Sequence, residues 1–398
     1  MKKLLFCIGT LIAVLFSSCS SSDLEVQYFP FKEDASDKWG LINAEGEILS
    51  EDEFEHRPSL VVNDYFFVEE KNGKITVYKA TEDSPTEIID GLHSAGYMSE
   101  GLIPVAKKDK RICYVNKEGE EQFTLDPISG NEITKVSSFF SDGLAIICVA
   151  KENKETGYPE NKYGAINTKG EVVIDPEYDF LEPFKNGLAV ALKNSDDDSK
   201  NKYLILNTDG EEVGSYKAED YEGRYNNYCV FESKGNESIV DISDECKDLY
   251  ALKKEQSVYG LSDNYIVFRD SESGKYGVKK YDDPEILFKG DFDGIAILKE
   301  GGLFSDDTFF AGRDDNKGRY YNADGEIIED IDEIKGVANP KYIPGFLNYF
   351  DWNDCILKET EDGGVFLNND LEEVGKHFDK LGLDINEWVY SNYSKLKD

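Results

Sequence analysis

Lys162-Tyr163-Gly164-Ala165-Ile166-Asn167-Thr168-Lys169-Gly170-Glu171-Val172-Val173-Ile174 reads as two β-strands joined by a tight turn. Aromatic and β-branched residues flank a polar centre, which is the composition of strands bounded by turn residues. The Asn side chain can bond the backbone two residues on and so start a turn. The Gly three positions later can take positive φ, as in a type I turn closed by a bulge. The central string, Asn-x-x-Gly-Glu, stands at 43–47, 116–120, 167–171, 207–211 and 322–326, with a degraded copy at Asn368-Asn369-Asp370-Leu371-Glu372.

The spacing of these strings sets a period. Asn43 and Asn116 are 73 residues apart, Asn167 and Asn207 are 40, and Asn207 and Asn322 are 115. The 51-residue step from Asn116 to Asn167 carries a polar excess at 151–161. The gaps leave room for decayed copies near Ile75–Lys79, 239–242 and Tyr276–Lys280, which makes about nine units with a period near 40. A second string alternates with the first: an aromatic, two polar residues, Gly, then an apolar strand. It stands at Phe140-Ser141-Asp142-Gly143-Leu144-Ala145-Ile146 and Phe184-Lys185-Asn186-Gly187-Leu188-Ala189-Val190, with variants at 98–105 and 292–297. At 63–68, 227–231 and 264–268 the same strand has Tyr replacing Gly.

Lys38-Trp39-Gly40-Leu41-Ile42-Asn43-Ala44-Glu45-Gly46-Glu47 is similar to the unit of WG-repeat proteins. That unit runs Lys-Trp-Gly, two apolar residues, Asp or Asn, a Gly, a Pro-containing segment and a Gly-Leu-Ala strand. The fullest copy runs from Lys162-Tyr163-Gly164 through Asp175-Pro176-Glu177-Tyr178-Asp179 to Gly187-Leu188-Ala189-Val190, and Lys275-Tyr276-Gly277-Val278 is a third. The resemblance spans roughly 38–375, although Trp stands in this place only once and Tyr takes it elsewhere. It implies binding or interaction modules more than a reaction.

About 40 residues per unit, with three or four short strands, is the spacing of propeller blades. A unit of this size buries its apolar face only by stacking on neighbours, and a ring removes the free sheet edges that a row leaves. The expected fold is all-β, a propeller-like ring of seven or eight blades, with a hairpin near the N-terminus pairing with the last unit to close it. An open β-solenoid or two β domains is the alternative, with the eroded stretch 215–255 as the weakest point. The expected domains are a signal peptide at 1–18, a tether at 19–37, the repeat domain at 38–375 and a C-terminal helical segment at 376–398. In that last segment Asp384 and Glu387 form a capping pair, and Trp388, Val389 and Tyr393 share a face.

The N-terminus predicts export. Lys2 and Lys3 precede an apolar run at 4–16, then Ser17, Ser18 and Cys19. This is a secretory signal too short to span a bilayer as a helix. The segment resembles a bacterial lipobox, which implies lipid attachment at Cys19. Ser20 does not resemble the Asp that retains lipoproteins at the inner membrane, so the expected location is the outer membrane of the cell envelope.

The net charge of −37, from 81 acidic and 44 basic residues, excludes nucleic acid as a partner read by a basic footprint. The 24 Tyr and 23 Phe exclude a disordered acidic chain. The mature cysteines beyond Cys19 are Cys113, Cys148, Cys229, Cys246 and Cys355, an odd number without a CxxC, and they read as free thiols. His56, His93 and His377 stand far apart in sequence, and no nucleophile elbow, P-loop or dinucleotide fingerprint is present. Asp196-Asp197-Asp198 and Asp306-Asp307 lack the spacing of a calcium loop, and Asp282-Asp283-Pro284 reads as a turn. No catalytic, metal or cofactor residue is therefore assigned. The expected function is a lipid-anchored envelope module that binds a protein or glycan through its repeat surface. The alternatives are a hydrolase built on paired carboxylates and a purely structural lipoprotein.

Overall fold

The computed structural model describes residues 24–34, 38–81, 84–152, 157–193, 201–281, 286–300, 307–313, 317–352, 355–361 and 363–381. Among them the regular structure is β, antiparallel except where Leu24–Glu25 pairs in parallel with Phe350–Asp351, apart from two short 3₁₀ turns, Pro340–Tyr342 and Phe346–Tyr349. The strands form nine four-stranded units, the first two of them joined in one sheet because Val26 also pairs with Val62. Eight are simple meanders spanning 61–92, 94–124, 133–178, 180–218, 220–251, 256–292, 294–332 and 334–378, here units 2 to 9. Unit 1 is composite. Leu24–Lys32, Trp39–Ile42 and Ile48–Phe54 supply three strands, and Lys380–Leu381 returns from the other end of the chain to pair with the first of them.

The hydrophobic clusters show how the units are arranged. Most lie between consecutive units: Trp39, Leu41 and Phe54 meet Val61, Phe66 and Val68; Val190, Tyr203 and Ile205 meet Cys229, Phe231 and Val240; Phe310 and Tyr320 meet Ile334 and Ile356. The series closes on itself, because Phe29 and Phe31 of unit 1 share a cluster with Phe366 and Phe378 of unit 9. The rings of Phe29 and Phe366 are 5.2 Å apart. Trp39 sits at this seam, with the Lys32 and Lys380 amines 5.3 and 5.8 Å from its ring. The architecture is thus a closed propeller-like ring. Nine units agree with the count of strings and exceed the expected seven or eight blades. No copy serves as a cap, because the returning strand completes unit 1 and even the Leu371 copy forms a full unit.

Every Asn-x-x-Gly-Glu string joins the third and fourth strands of its unit. The Asn Oδ1 accepts the Glu backbone N–H in all six copies, at 2.7–3.0 Å. The Asn Nδ2 donates to the same Glu carboxylate at 2.8–3.4 Å. One amide thus closes the turn from both sides, which explains the Glu as well as the Asn. The Gly of the Trp/Tyr-Gly pair has a different task. It stands opposite a bulge in the fourth strand, where Tyr163 pairs with Tyr178 but Ala165 pairs with Ile174. A Cβ on Gly164 would come 2.7 Å from Pro176 N, and on Gly40 2.8 Å from the Phe31 ring. Only a bare backbone admits this approach.

Three expectations on boundaries are corrected. Residues 24–32, read as tether, form a strand in which Leu24, Val26, Phe29, Pro30 and Phe31 are buried. This strand lies ahead of the first hairpin string, so spacing alone did not reveal it. Residues 376–381, read as the start of a helix, belong to the strands Glu373–Phe378 and Lys380–Leu381, because ring closure claims them. The helical features at Asp384, Glu387, Trp388, Val389 and Tyr393 lie outside the described residues. The stretch 215–255 is no boundary; it completes unit 5 and forms unit 6.

Alternation of strand direction gives the ring two distinct faces. The turns between strands 1 and 2 and the hairpins between strands 3 and 4 share one of them, the hairpin face. The turns between strands 2 and 3 and the links between units share the opposite face.

Candidate binding cavity and plugged channel

In units 4 and 5 the turn between strands 1 and 2 is short, Ser141–Leu144 and Lys185–Leu188, each closed by a bridge. In unit 9 the same connection runs from Asn339 to Cys355. This excursion crosses the centre of the ring. Asn339 Nδ2 donates to Leu298 O of unit 8 at 2.9 Å, and Tyr342 OH accepts from Glu300 N at 3.0 Å. Gly345 N donates to Arg224 O, and Asn226 N donates to Asn348 Oδ1, so the middle of the excursion is fastened to unit 6. Lys185 Nζ donates to Asn348 O, and Tyr349 OH donates to Pro183 O at 2.8 Å, which adds unit 5. The Phe350 ring lies 5.9 Å from Phe139 of unit 4 and 5.3 Å from Tyr97 of unit 3, and Trp352 stacks 6.3 Å from Phe29 of unit 1. One loop thus fills the axial channel as a plug. Its buried aromatic side chains, Tyr342, Tyr349, Phe350 and Trp352, replace the water that an open channel would hold.

A buried ion pair supports the plug. Arg224 is 1% exposed and donates to Glu182 Oε1 at 2.9 Å, with further bonds to the Lys185, Leu188 and Asn226 carbonyls. Glu182 also accepts from Tyr221 OH at 2.6 Å and Val190 N at 2.9 Å. Burial pushes the Tyr221 hydroxyl well above its usual range, so it remains a donor. Both charges have their bonds satisfied, which is the condition for holding a charge pair out of water.

The plug does not fill the channel evenly. Against units 7, 8 and 9 it leaves a cavity of about 450 Å³. Its walls are the inner strands around Gly260, Gly294–Ile297 and 335–338, and Tyr342 and Ile343 of the plug form its closed end. Cβ atoms built on Gly294 and Gly336 meet nothing within 4 Å, so these glycines hold the space open. Asp293, Gly294, Gly312 and Lys335 stand at the strand ends toward the opposite face, which places the mouth there and the plug on the hairpin side. Tyr259, 53% exposed, lies beside the mouth with its ring 4.9 Å from that of Tyr276. The Asp293 carboxylate accepts from Lys275 Nζ.

The residues weighed from sequence do not converge. His56 and His93 lie in the links after units 1 and 2, and His377 lies in the last strand of unit 9, 3.1 Å from Glu373. Among the described residues no group of three or more His, Cys, Asp or Glu is placed to hold a metal ion. Asp307 accepts from Tyr265 OH as a structural partner. Asp196, Asp197, Asp198, Asp282, Asp283, Pro284, Asp306 and Cys19 lie outside the described residues. Cys113, Cys148, Cys229 and Cys355 are buried free thiols, and Cys246 is a half-buried one. Sequence reading missed both the plug and the cavity. The available signal was length: Asn322 and Asn368 are 46 residues apart, longer than the period, with five aromatic residues in 342–352.

Fold and cavity together define a closed, propeller-like β-repeat ring with a plugged axial channel. The WG containing repeat family matches residues 163–203, which run from the third strand of unit 4 to the third strand of unit 5. The sequence repeat is therefore staggered by half a unit from the structural one, a stagger that the composite unit 1 also requires. No curated relative matches the sequence. Among solved structures the chain is similar to a eukaryotic initiation factor, at 12% identity, covering 89% of this chain and 85% of that one, with a TM-score of 0.46. It is also similar to BamB from Moraxella catarrhalis, at 10% identity, 76% and 90% coverage and a TM-score of 0.33. Hsv2 from Kluyvelomyces marxianus is 10% identical, with 61% and 74% coverage and a TM-score of 0.34.

Proposed function

We propose that this chain is a lipid-anchored interaction module of the bacterial envelope that presents the cavity mouth away from its membrane. Acyl chains on Cys19 hold it to the outer membrane, and a partner binds the opposite face of the ring. The observation that carries this reading is the position of the first described residue. Leu24 is buried on the hairpin side, paired in parallel with Phe350 of the plug. Five steps of chain from Cys19 reach at most about 18 Å. The hairpin face therefore lies next to the anchor and the cavity mouth points away from it. Multiple acylation supplies the stable attachment that a single chain does not.

The test is fractionation of the native host. The wild-type chain should sediment with the envelope and be released by detergent, whereas Cys19→Ala should be recovered in the soluble fraction. A Cys19→Ala chain that stays with the membrane would overturn the anchor. Pull-down of the acylated chain from a solubilised envelope should retain a partner that an excess of purified Cys19→Ala ring displaces.

A further inference from the structure

We propose that the cavity against units 7, 8 and 9 is an anchor pocket for one bulky apolar side chain of an extended, basic peptide segment of the partner. This rests on the binding reading above and chooses between protein and glycan.

The lining makes the choice. Ile295, Ile297, Phe310 and Val337 present apolar surface. Asn339, the polar residue at depth, already spends its amide on Leu298 O and Lys341 N. Asp293 and Lys335 stand only at the mouth, so a sugar ring seated at depth would set hydroxyls against the apolar walls without partners, at about 1–3 kcal/mol each. An aromatic or large aliphatic side chain needs none. The volume of about 450 Å³ is at the small end of ligand pockets, suited to one side chain and its flanking main chain. Fully buried aromatic anchors in such pockets carry much of the energy of protein interfaces. The exposed Tyr259 at the mouth offers a ring face to the passing chain or to a flanking cation.

Charge sets the flanks of the segment. A net charge of −37 attracts cationic segments and repels acidic ones over the screening length. Binding should therefore weaken as salt rises, while the preference for an apolar central residue should survive.

The experiment uses the full chain in detergent and fluorescent pentapeptides, read by anisotropy. Lys-Lys-Trp-Lys-Lys should bind about tenfold or more tighter than Lys-Lys-Ser-Lys-Lys, and Glu-Glu-Trp-Glu-Glu should bind weakly or not at all. Gly336→Trp points a ring into the open space and should lower affinity for the Trp peptide about tenfold or more. Tyr259→Ala, on an exposed side chain, should weaken it several-fold with the melting temperature unchanged. It decides the matter if Gly336→Trp fails to fold. Val213→Trp, on the outer rim, should change nothing. Equal binding of the Trp and Ser peptides, or a folded Gly336→Trp chain of unchanged affinity, would overturn the pocket. Chitohexaose bound in place of the peptides and lost in Gly336→Trp would transfer the site to a glycan. None of these outcomes depends on acylation, so a failed anchor and a failed pocket are separable.

Discussion

Units 5 and 9 use the same strand order and the same hairpin chemistry, yet they treat one connection in opposite ways. In unit 5 the chain turns between Lys185 and Leu188 and goes back into its own sheet. In unit 9 it leaves the sheet at Asn339, crosses the axis and comes back at Cys355. The first turn closes on its own sheet through the Lys185–Leu188 bridge, and the Arg224 guanidinium and the Asp142 carboxylate of the adjoining units brace it. The second is satisfied by Leu298, Arg224, Pro183 and Phe29, which come from four other units. A ring of similar blades is stable by nearest-neighbour stacking alone. The plug adds a set of contacts that no pair of neighbours possesses, and it makes the axial space asymmetric. The cavity exists because the plug beyond Ile343 is fastened to units 6, 5, 4, 3 and 1, which leaves inner-strand surface of units 7 to 9 uncovered.

This comparison predicts unequal sensitivity. The largest effect belongs to Trp352, 1% exposed and packed against Phe29 and Phe350 where the plug meets the closing seam. Trp352→Ala should cost about 4 kcal/mol, the range for deleting a buried aromatic. Asn186→Ala, in the short turn of unit 5, should cost about 1 kcal/mol or less, because its one side-chain bond, to Asn227 Oδ1, is exposed. Urea unfolding of both variants checks the contrast. A Trp352→Ala loss no larger than that of Asn186→Ala would mean that the ring carries its plug passively.

The next effect tests how the plug is held. Arg224→Met leaves Glu182 buried without its cation and should cost about 3–5 kcal/mol. Arg224→Met combined with Glu182→Gln removes both charges, keeps one oxygen to accept from Val190 N and places an amide N–H where it can donate to the Tyr221 hydroxyl. The double variant should lose less than the single one, which a double-mutant cycle measures directly. Equal losses would assign the cost to the carbonyls of Lys185, Leu188 and Asn226 rather than to the unpaired carboxylate.

The same contrast explains what could be read in advance. The hairpins were legible because their chemistry is local: an Asn reaches a Glu four residues on, and a Gly supplies the positive φ between them. The ring followed from counting such strings and from the need of each unit for a neighbour. The strand Leu24–Lys32 is apolar and largely buried but carries no hairpin string, so it passed for a tether. The plug has no period to betray it. Its meaning lies in partners more than 100 residues away, such as Lys185 and Asn348, which are 163 positions apart. Gly294 belongs to the variant string at 292–297 and Gly336 to no string, and only the path of the plug turns the space beside them into a cavity.

The smallest effect sharpens the other half of the comparison. If hairpin stability is local, the same deletion should give the same number wherever the string recurs. Asn116, Asn167 and Asn207 each accept two backbone N–H bonds, from the residues two and four positions on, and each donates to its Glu. All three side chains lie near solvent, so Ala at each position should cost about 1 kcal/mol, the worth of a cap-like set of exposed bonds. Three separate unfolding curves should then superimpose within about 0.5 kcal/mol, the tolerance for independent sites. A spread well beyond that would mean that the units sense one another through more than their stacked faces, and that a hairpin in unit 3 is not interchangeable with one in unit 5.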